Sequence, residues 1–118
     1  GTISNATVLS MDWLPTLLSV AGIENQDKFD GQNISGVLFN NDEPIERPVF
    51  WRYRNQLVAR KGNWKYIKAA ENEYLFNLKN DLAEKNNLIG TNDKKTAELK
   101  VLLQTWEAEM NTYKQQTN

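Results

Sequence analysis

The C-terminal end of the chain carries the pattern that most narrows its fold. Leu99, Leu102, Leu103, Trp106, Met110 and Tyr113 stand at offsets 0, 3, 4, 7, 11 and 14, with charges between them. This spacing predicts one long amphipathic helix, and its apolar stripe must find a partner to bury against. Asn92 or Asp93 can cap the start with a short side-chain oxygen. The partner lies upstream, where the period changes to two. Val49, Trp51 and Tyr53 alternate with Phe50, Arg52 and Arg54. After a break at Asn55 comes Leu57 to Arg60, and Lys61-Gly62-Asn63 is a hairpin connection with a glycine. Trp64, Tyr66 and Lys68 alternate with Lys65 and Ile67; Ala69 to Asn72 is a turn, and Tyr74 to Leu78 a last short strand. Strands joined by tight turns pair antiparallel, because parallel pairing needs long crossovers. The expected fold class is α+β: a four-stranded antiparallel sheet covered by a C-terminal helix.

The N-terminal part reads differently. Leu14, Leu17, Leu18 and Ala21 form one helical stripe, predicting a helix over about 11–21. Ser10 or Asp12 is the expected cap, Pro15 falls in the first turn, and Gly22 is a natural stop. Residues 23–47 form a long connector, with Asp30-Gly31 as a turn and Ile34, Val37 and Leu38 as one short helical turn. A connector of that length inside a compact domain signals a missing partner. The boundary between the two parts is placed at 46/47. Residues 79–92 are polar and read as loop, with Asp81 capping a turn.

Composition limits the chemistry. The 118 residues contain no cysteine and no histidine. Disulfides, thiolate zinc sites, thiol nucleophiles and any triad or acid/base step that needs imidazole are excluded. Net charge is −1, with 14 basic against 15 acidic residues, which argues against a nucleic-acid partner. No stretch approaches a membrane span, so no membrane partner is expected. The start at Gly1, without a basic region or apolar core, is that of a mature or excised chain and not of a signal peptide.

The candidate site is the run Trp51-Arg52-Tyr53-Arg54. On a strand, Arg52 and Arg54 project to one face, where two guanidinium forks suit an oxyanion; Trp51 and Tyr53 project to the other, where they can stack on sugar rings. The competing reading has the aromatics filling a core and the arginines solvated. Asp42, Glu43 and Glu46, and Asp81 with Glu84, read as solvated loop charge, because neither set has EF-hand spacing. Trp64, Tyr66, Trp106 and Tyr113 read as packing residues. Asn5-Ala6-Thr7 and Asn33-Ile34-Ser35 match the glycosylation sequon, a pattern that chance supplies often in an Asn-rich chain.

Read in order, several segments resemble the C-terminal end of a formylglycine-dependent (type I) sulfatase of the arylsulfatase and N-acetylgalactosamine-6-sulfatase kind, within the alkaline phosphatase superfamily. Asp12-Trp13-Leu14-Pro15-Thr16, ending in Ala21-Gly22, resembles the family's Asp-x-x-Pro-Thr helix. Asp30-Gly31-Gln32-Asn33-Ile34 resembles its Asp-Gly-x-Ser-Leu segment, and Arg47-Pro48-Val49-Phe50-Trp51 the strand that opens its C-terminal subdomain. Arg60 with Gly62-Asn63-Trp64-Lys65 resembles its Arg-x-Gly-x-Trp-Lys hairpin. Tyr74-Leu75-Phe76-Asn77-Leu78 with Asp81, Glu84, Asn87 and Leu88 resembles its Leu-Tyr-Asp-Leu…Asp-Pro-x-Glu-x-x-Asn-Leu segment. Asn33, Leu82 and Asn77 depart from the pattern at turns.

The resemblance implies that residues 1–46 are the tail of an upstream catalytic domain and 47–118 the C-terminal subdomain. It implies a sulfuric ester hydrolase acting on sulfated sugars or aryl sulfates, periplasmic or secreted, with calcium and formylglycine in the parent enzyme. No Cys-x-Pro-x-Arg or Ser-x-Pro-x-Arg motif surrounds Pro15, Pro44 or Pro48. The fragment is therefore expected to hold no catalytic residues, no metal ligands and no cofactor of its own, and to be inactive alone. Its expected partners are the upstream domain of the same polypeptide and a sulfated carbohydrate. Trp51, Arg52 and Arg54 are its candidate substrate-rim residues. The leading helix, without its cover, is expected either to pack improvised contacts or to pair between molecules as a dimer. The alternative is a free-standing carbohydrate-binding or protein-interaction module.

Overall fold

The computed structural model describes residues 3–23, 28–44 and 46–116, with side chains as far as Thr112. The chain forms two compact units, Gly1–Glu46 and Arg47–Asn118.

In the first unit, a 3₁₀ turn (Ser10–Asp12) runs into α1 (Trp13–Val20), and α2 (Ser35–Phe39) follows. The end of α1 is as expected: the Ala21 amide donates to the Leu17 carbonyl at 2.9 Å, and Gly22 takes a φ of +69°. The start is not. Neither Ser10 nor Asp12 caps α1 through its side chain. Asp12 is fully buried. One carboxylate oxygen accepts from the Leu9 amide at 2.7 Å, the other from the Gln32 amide at 2.9 Å, twenty residues away. One turn on, the buried Thr16 hydroxyl donates to the Asp12 carbonyl at 2.6 Å and accepts from the Ile34 amide at 3.0 Å. A Cβ on Gly31 would run into the Met11 carbonyl group, so only glycine permits this approach. The connector that looked structureless is thus pinned to the helix start by two polar side chains at i and i+4. The opposite side of α1 is bare: Leu14 and Leu17 are 55% and 60% exposed.

In the second unit, β1 (Pro48–Tyr53), β2 (Gln56–Lys61), β3 (Trp64–Ala69) and β4 (Asn72–Asn77) pair antiparallel in the order β1-β2-β3-β4. Two-residue turns join them, so Tyr53 pairs with Gln56, Lys61 with Trp64 and Ala69 with Asn72. The last strand begins two residues earlier than the aromatic run suggests. The helix α2 is followed in the chain by this sheet and then by α3 (Asp93–Gln116), capped where the Asn92 side chain accepts from the Lys95 amide at 3.2 Å. Ala59, Tyr66, Leu75, Leu99 and Leu103 form its core, with Phe50, Leu57, Trp64, Leu102 and Trp106 packed around them. Phe50 and Trp106 stack at 5.4 Å. Tyr113 lies outside the described side chains.

Residues 79–92 are loop, as expected, but a tethered loop. The Asp81 carboxylate accepts from the Lys85 and Asn86 amides. Asn87 accepts from the Leu75 amide at 3.0 Å and donates to the Glu73 carbonyl, and the Leu88 amide donates to Leu75. The outer edge of β4 is therefore closed, and β1 is the other edge of the sheet.

Candidate functional site

Strand alternation decides where the candidate residues point. Phe50 faces α3, so Arg52 does too, and its Nη2 donates to Glu107 on α3 at 3.2 Å while its guanidinium lies over the Trp106 ring. Val49, Trp51 and Tyr53 face the other way, with Val58, Lys65 and Phe76. There the Lys65 ammonium lies 5.7 Å from the Trp51 ring centroid and pairs with Glu84 at 2.7 Å. The structure thus separates Trp51 from Arg52, as the alternation implies.

Arg54 is not on the strand. It is the first residue of the β1–β2 turn, with φ at +53° and its guanidinium over the Tyr53 ring. The sequence reading extended the strand through it, but a two-residue turn takes the chain back at once. The two arginines line one open cleft of about 310 Å³ together with Asn55, Leu57, Lys68, Ala70 and Glu107.

The register explains this cleft. Arg52 pairs with Leu57, and Leu57 with Lys68, so the three form one row across three strands. At about 4.8 Å per strand, Arg52 and Lys68 stand roughly 10 Å apart with Leu57 as an apolar floor between them. The β1–β2 and β3–β4 turns meet at this end of the sheet, where the Ala70 amide donates to the Asn55 carbonyl at 3.4 Å. Glu107 forms the wall from α3. Lys68 escaped the sequence reading. The signal that could have found it is the pair of two-residue turns, which fixes which residues share a row.

Three cations and one carboxylate line the cleft. Glu107 is committed to Arg52. Arg54 and Lys68 have no ion pair within 4.0 Å among the described residues, but the Arg54 guanidinium lies over the Tyr53 ring and Lys68 sits in the field of Glu73, its cross-strand neighbour. Glu73, which faces Lys68 in the register, pairs instead with Lys100 at 2.7 Å, and this hydrogen bond holds the Glu73 carboxyl below its usual range. Among the described residues no three acidic side chains converge as a metal shell. Asp42, Glu43 and Glu46, and Asp81 with Glu84, form no such cluster among the described residues. No helix among the described residues is long and apolar enough to cross a membrane.

The sequence matches no protein-family model and no curated protein. Among solved structures, the chain is similar to Ps i-CgsB at 25% identity and a TM-score of 0.75, over 86% of this chain and 24% of that one. It is similar to BT33336S-sulf, of multiple-glycosaminoglycan metabolism in Bacteroides thetaiotaomicron, at 22% identity and a TM-score of 0.71, over 82% and 24%. It is also similar to BT4656, solved in complex with its substrate D-glucosamine-2-N,6-O-disulfate, at 23% identity and a TM-score of 0.71, over 86% and 24%. The chain spans about a quarter of the length of each. Its resemblance to the C-terminal region of a sulfatase thus extends from motifs to fold.

Proposed function

We propose that the chain is the C-terminal part of a formylglycine-dependent sulfatase, a sulfuric ester hydrolase acting on sulfated sugars. The observation that carries this reading is the joint order of its motifs on a fold shared with a quarter of much longer chains. In it the chain has a structural and substrate-rim role and is inactive alone. Formylglycine and calcium belong to the upstream domain of the same polypeptide, and the parent is secreted or periplasmic. Arg52 and Arg54 are the rim residues, orienting an anionic substrate through charge-assisted hydrogen bonds. Trp51, on the other face, offers a separate stacking surface. The exposed side of α1 is where the upstream domain docks.

The test is sulfate release from a sulfated monosaccharide, measured for the 118 residues alone and for the polypeptide extended upstream. Activity only in the extended form, together with an upstream Cys-x-Pro-x-Arg or Ser-x-Pro-x-Arg motif, supports the reading. Hydrolysis by the 118 residues alone defeats it, and so does an initiator methionine immediately before Thr2. The cleft keeps one alternative in play, a free-standing carbohydrate-binding module. That reading gains if sugar binds the isolated chain and no sulfatase motif lies upstream.

A further inference from the structure

The connector of the first unit holds one bond at which packing and chemistry conflict. Asp30-Gly31 stands where the connector meets the 3₁₀ turn that starts α1. Gly31 passes so close to the Met11 carbonyl group that no side chain fits on it. The next residue, Gln32, gives its amide to the buried Asp12 carboxylate at 2.9 Å, and Ile34 gives its amide to the buried Thr16 hydroxyl at 3.0 Å. Packing therefore confines position 31 to glycine. Glycine, without a Cβ, also shields its own amide nitrogen least. Here that nitrogen is unengaged: the Gly31 N–H has no hydrogen-bond acceptor among the described residues. Before it lies the exposed Asp30, whose carboxylate has neither a hydrogen bond nor an ion pair among the described residues. A carboxyl free to swing toward an unhindered amide nitrogen can close to a five-membered imide. Each other aspartate of the chain precedes a bulky residue, Trp13, Lys28, Glu43, Leu82 or Lys94, whose side chain hinders the same attack.

We infer that Asp30 is a site of spontaneous isomerisation to isoaspartate, and that the change unpins the connector from the start of α1. The Gly31 nitrogen attacks Asp30 Cγ. The N–Cγ bond forms as a Cγ–O bond breaks, and the oxygen leaves as water with the amide proton and one proton from solvent. A molecule of water then opens the imide. Cleavage of the N–Cγ bond restores aspartate. Cleavage between the nitrogen and the main-chain carbonyl carbon of Asp30 gives isoaspartate, with the main chain rerouted through Cβ and Cγ and the carboxylate left on Cα. Either opening returns one proton to solvent, so the net change is an isomerisation that needs no cofactor. The rerouting adds one carbon to the main chain directly before Gly31. A segment packed against Met11 and held through the Gln32 and Ile34 amides has no room for it. The buried Asp12 carboxylate then loses the Gln32 amide, and removing a donor from a buried charge is costly. A substitution at Gly31 cannot relieve the site, because the Met11 carbonyl excludes a side chain there; only a change at Asp30 does.

The test is incubation of the 118-residue chain at neutral pH and physiological temperature in water enriched in heavy oxygen, followed by peptide mapping with electron-transfer mass spectrometry. Every opening of the imide writes one heavy oxygen into residue 30, whichever product forms, and isoaspartate is read from its own backbone fragments. Label is expected at Asp30 and not at Asp42 or Asp93 over the same period, in the native chain as well as in the chain unfolded in urea. The isoaspartate fraction, separated by chromatography, should exchange its Gln32 and Ile34 amide hydrogens faster than the unmodified chain and melt at a lower temperature. Asp30→Glu, which would have to close a six-membered ring, should take up no label and keep the melting temperature of the unmodified chain. Asp30→Asn should reach the same imide with loss of ammonia and collect isoaspartate sooner. Absence of label at Asp30 in the native chain, or label there only in urea, overturns the inference. So does an isoaspartate fraction whose Gln32 and Ile34 amides exchange as slowly as before.

Discussion

Tyr66 is the residue on which the second unit's core turns, and it is a costly one. It is fully buried between the sheet and α3, yet its hydroxyl has no hydrogen-bond partner of good geometry among the described residues. Burial, with the nearby Glu73 carboxylate, pushes that hydroxyl well above the ordinary tyrosine range. A buried polar group without a partner costs about 1–3 kcal/mol, whereas a ring alone packs without that penalty. Tyr66→Phe is therefore expected to leave stability unchanged or to raise it by about 1 kcal/mol in urea unfolding. A loss of more than about 1 kcal/mol would mean that the hydroxyl holds a real bond to Glu73. The residue scale is also where sequence reading failed most. Asp12 looked like a helix cap because short acidic residues before a helix usually are. One of its partners, the Leu9 amide, is local and closes the start of the 3₁₀ turn, but the other, the Gln32 amide, is a tertiary contact that no local pattern announces. Asp12 and Thr16 did lie one turn apart, on the side of the helix away from the leucines, which was the one local hint that both were turned inward.

The elements were legible to the extent that their period repeats. All four strands and α3 follow from spacing, and α3 buries Leu99 and Leu103 as its stripe requires. Leu103→Ala should cost about 2–4 kcal/mol, the range for a buried leucine whose cavity cannot collapse, while Val101→Ala on the exposed side should cost less than about 0.5 kcal/mol. Thermal melts of the two variants compare them directly. The seam between α3 and the sheet is edged with ion pairs, Lys61 to Glu98 and Lys100 to Glu73. Hydrogen bonds from Lys95 and Lys61 hold the Glu98 carboxyl below its usual range, as Lys100 does for Glu73, and the Asn86 and Lys85 amides do the same for Asp81. A carboxyl whose pKa is depressed on folding adds stability above its unfolded pKa and loses it as pH falls through the folded one. The melting temperature should therefore hold near neutral pH and fall below about pH 4. A Glu73→Gln and Glu98→Gln double variant should show a shallower acid limb. Equal acid limbs in the two proteins would show that these pairs do not couple to folding. In the irregular segments Asp81 was legible from its residue type, and its carboxylate does cap a turn; Asn87 was not, because it acts through a single side chain whose partners on the last strand are tertiary, and such chemistry has no period.

At the scale of the molecule, the bare side of α1 is the feature with the clearest consequence in solution. Trp13, Leu14, Leu17 and Val20 are each at least half exposed, and apolar surface on that scale tends to associate. Two copies of the chain are expected to pair through it, giving a concentration-dependent mass in sedimentation equilibrium that Leu17→Glu returns to that of a monomer. A monomeric wild-type chain at high concentration would contradict this. The sheet adds a second asymmetry. Asn87 and Leu88 seal one flank of the ribbon, and the other flank, along Pro48–Tyr53, still offers peptide groups. Growth of this sheet is therefore unidirectional. An extended segment can be stitched on beside the first strand, and two copies joined there edge to edge would leave only sealed flanks, so a run of copies cannot propagate into a fibre.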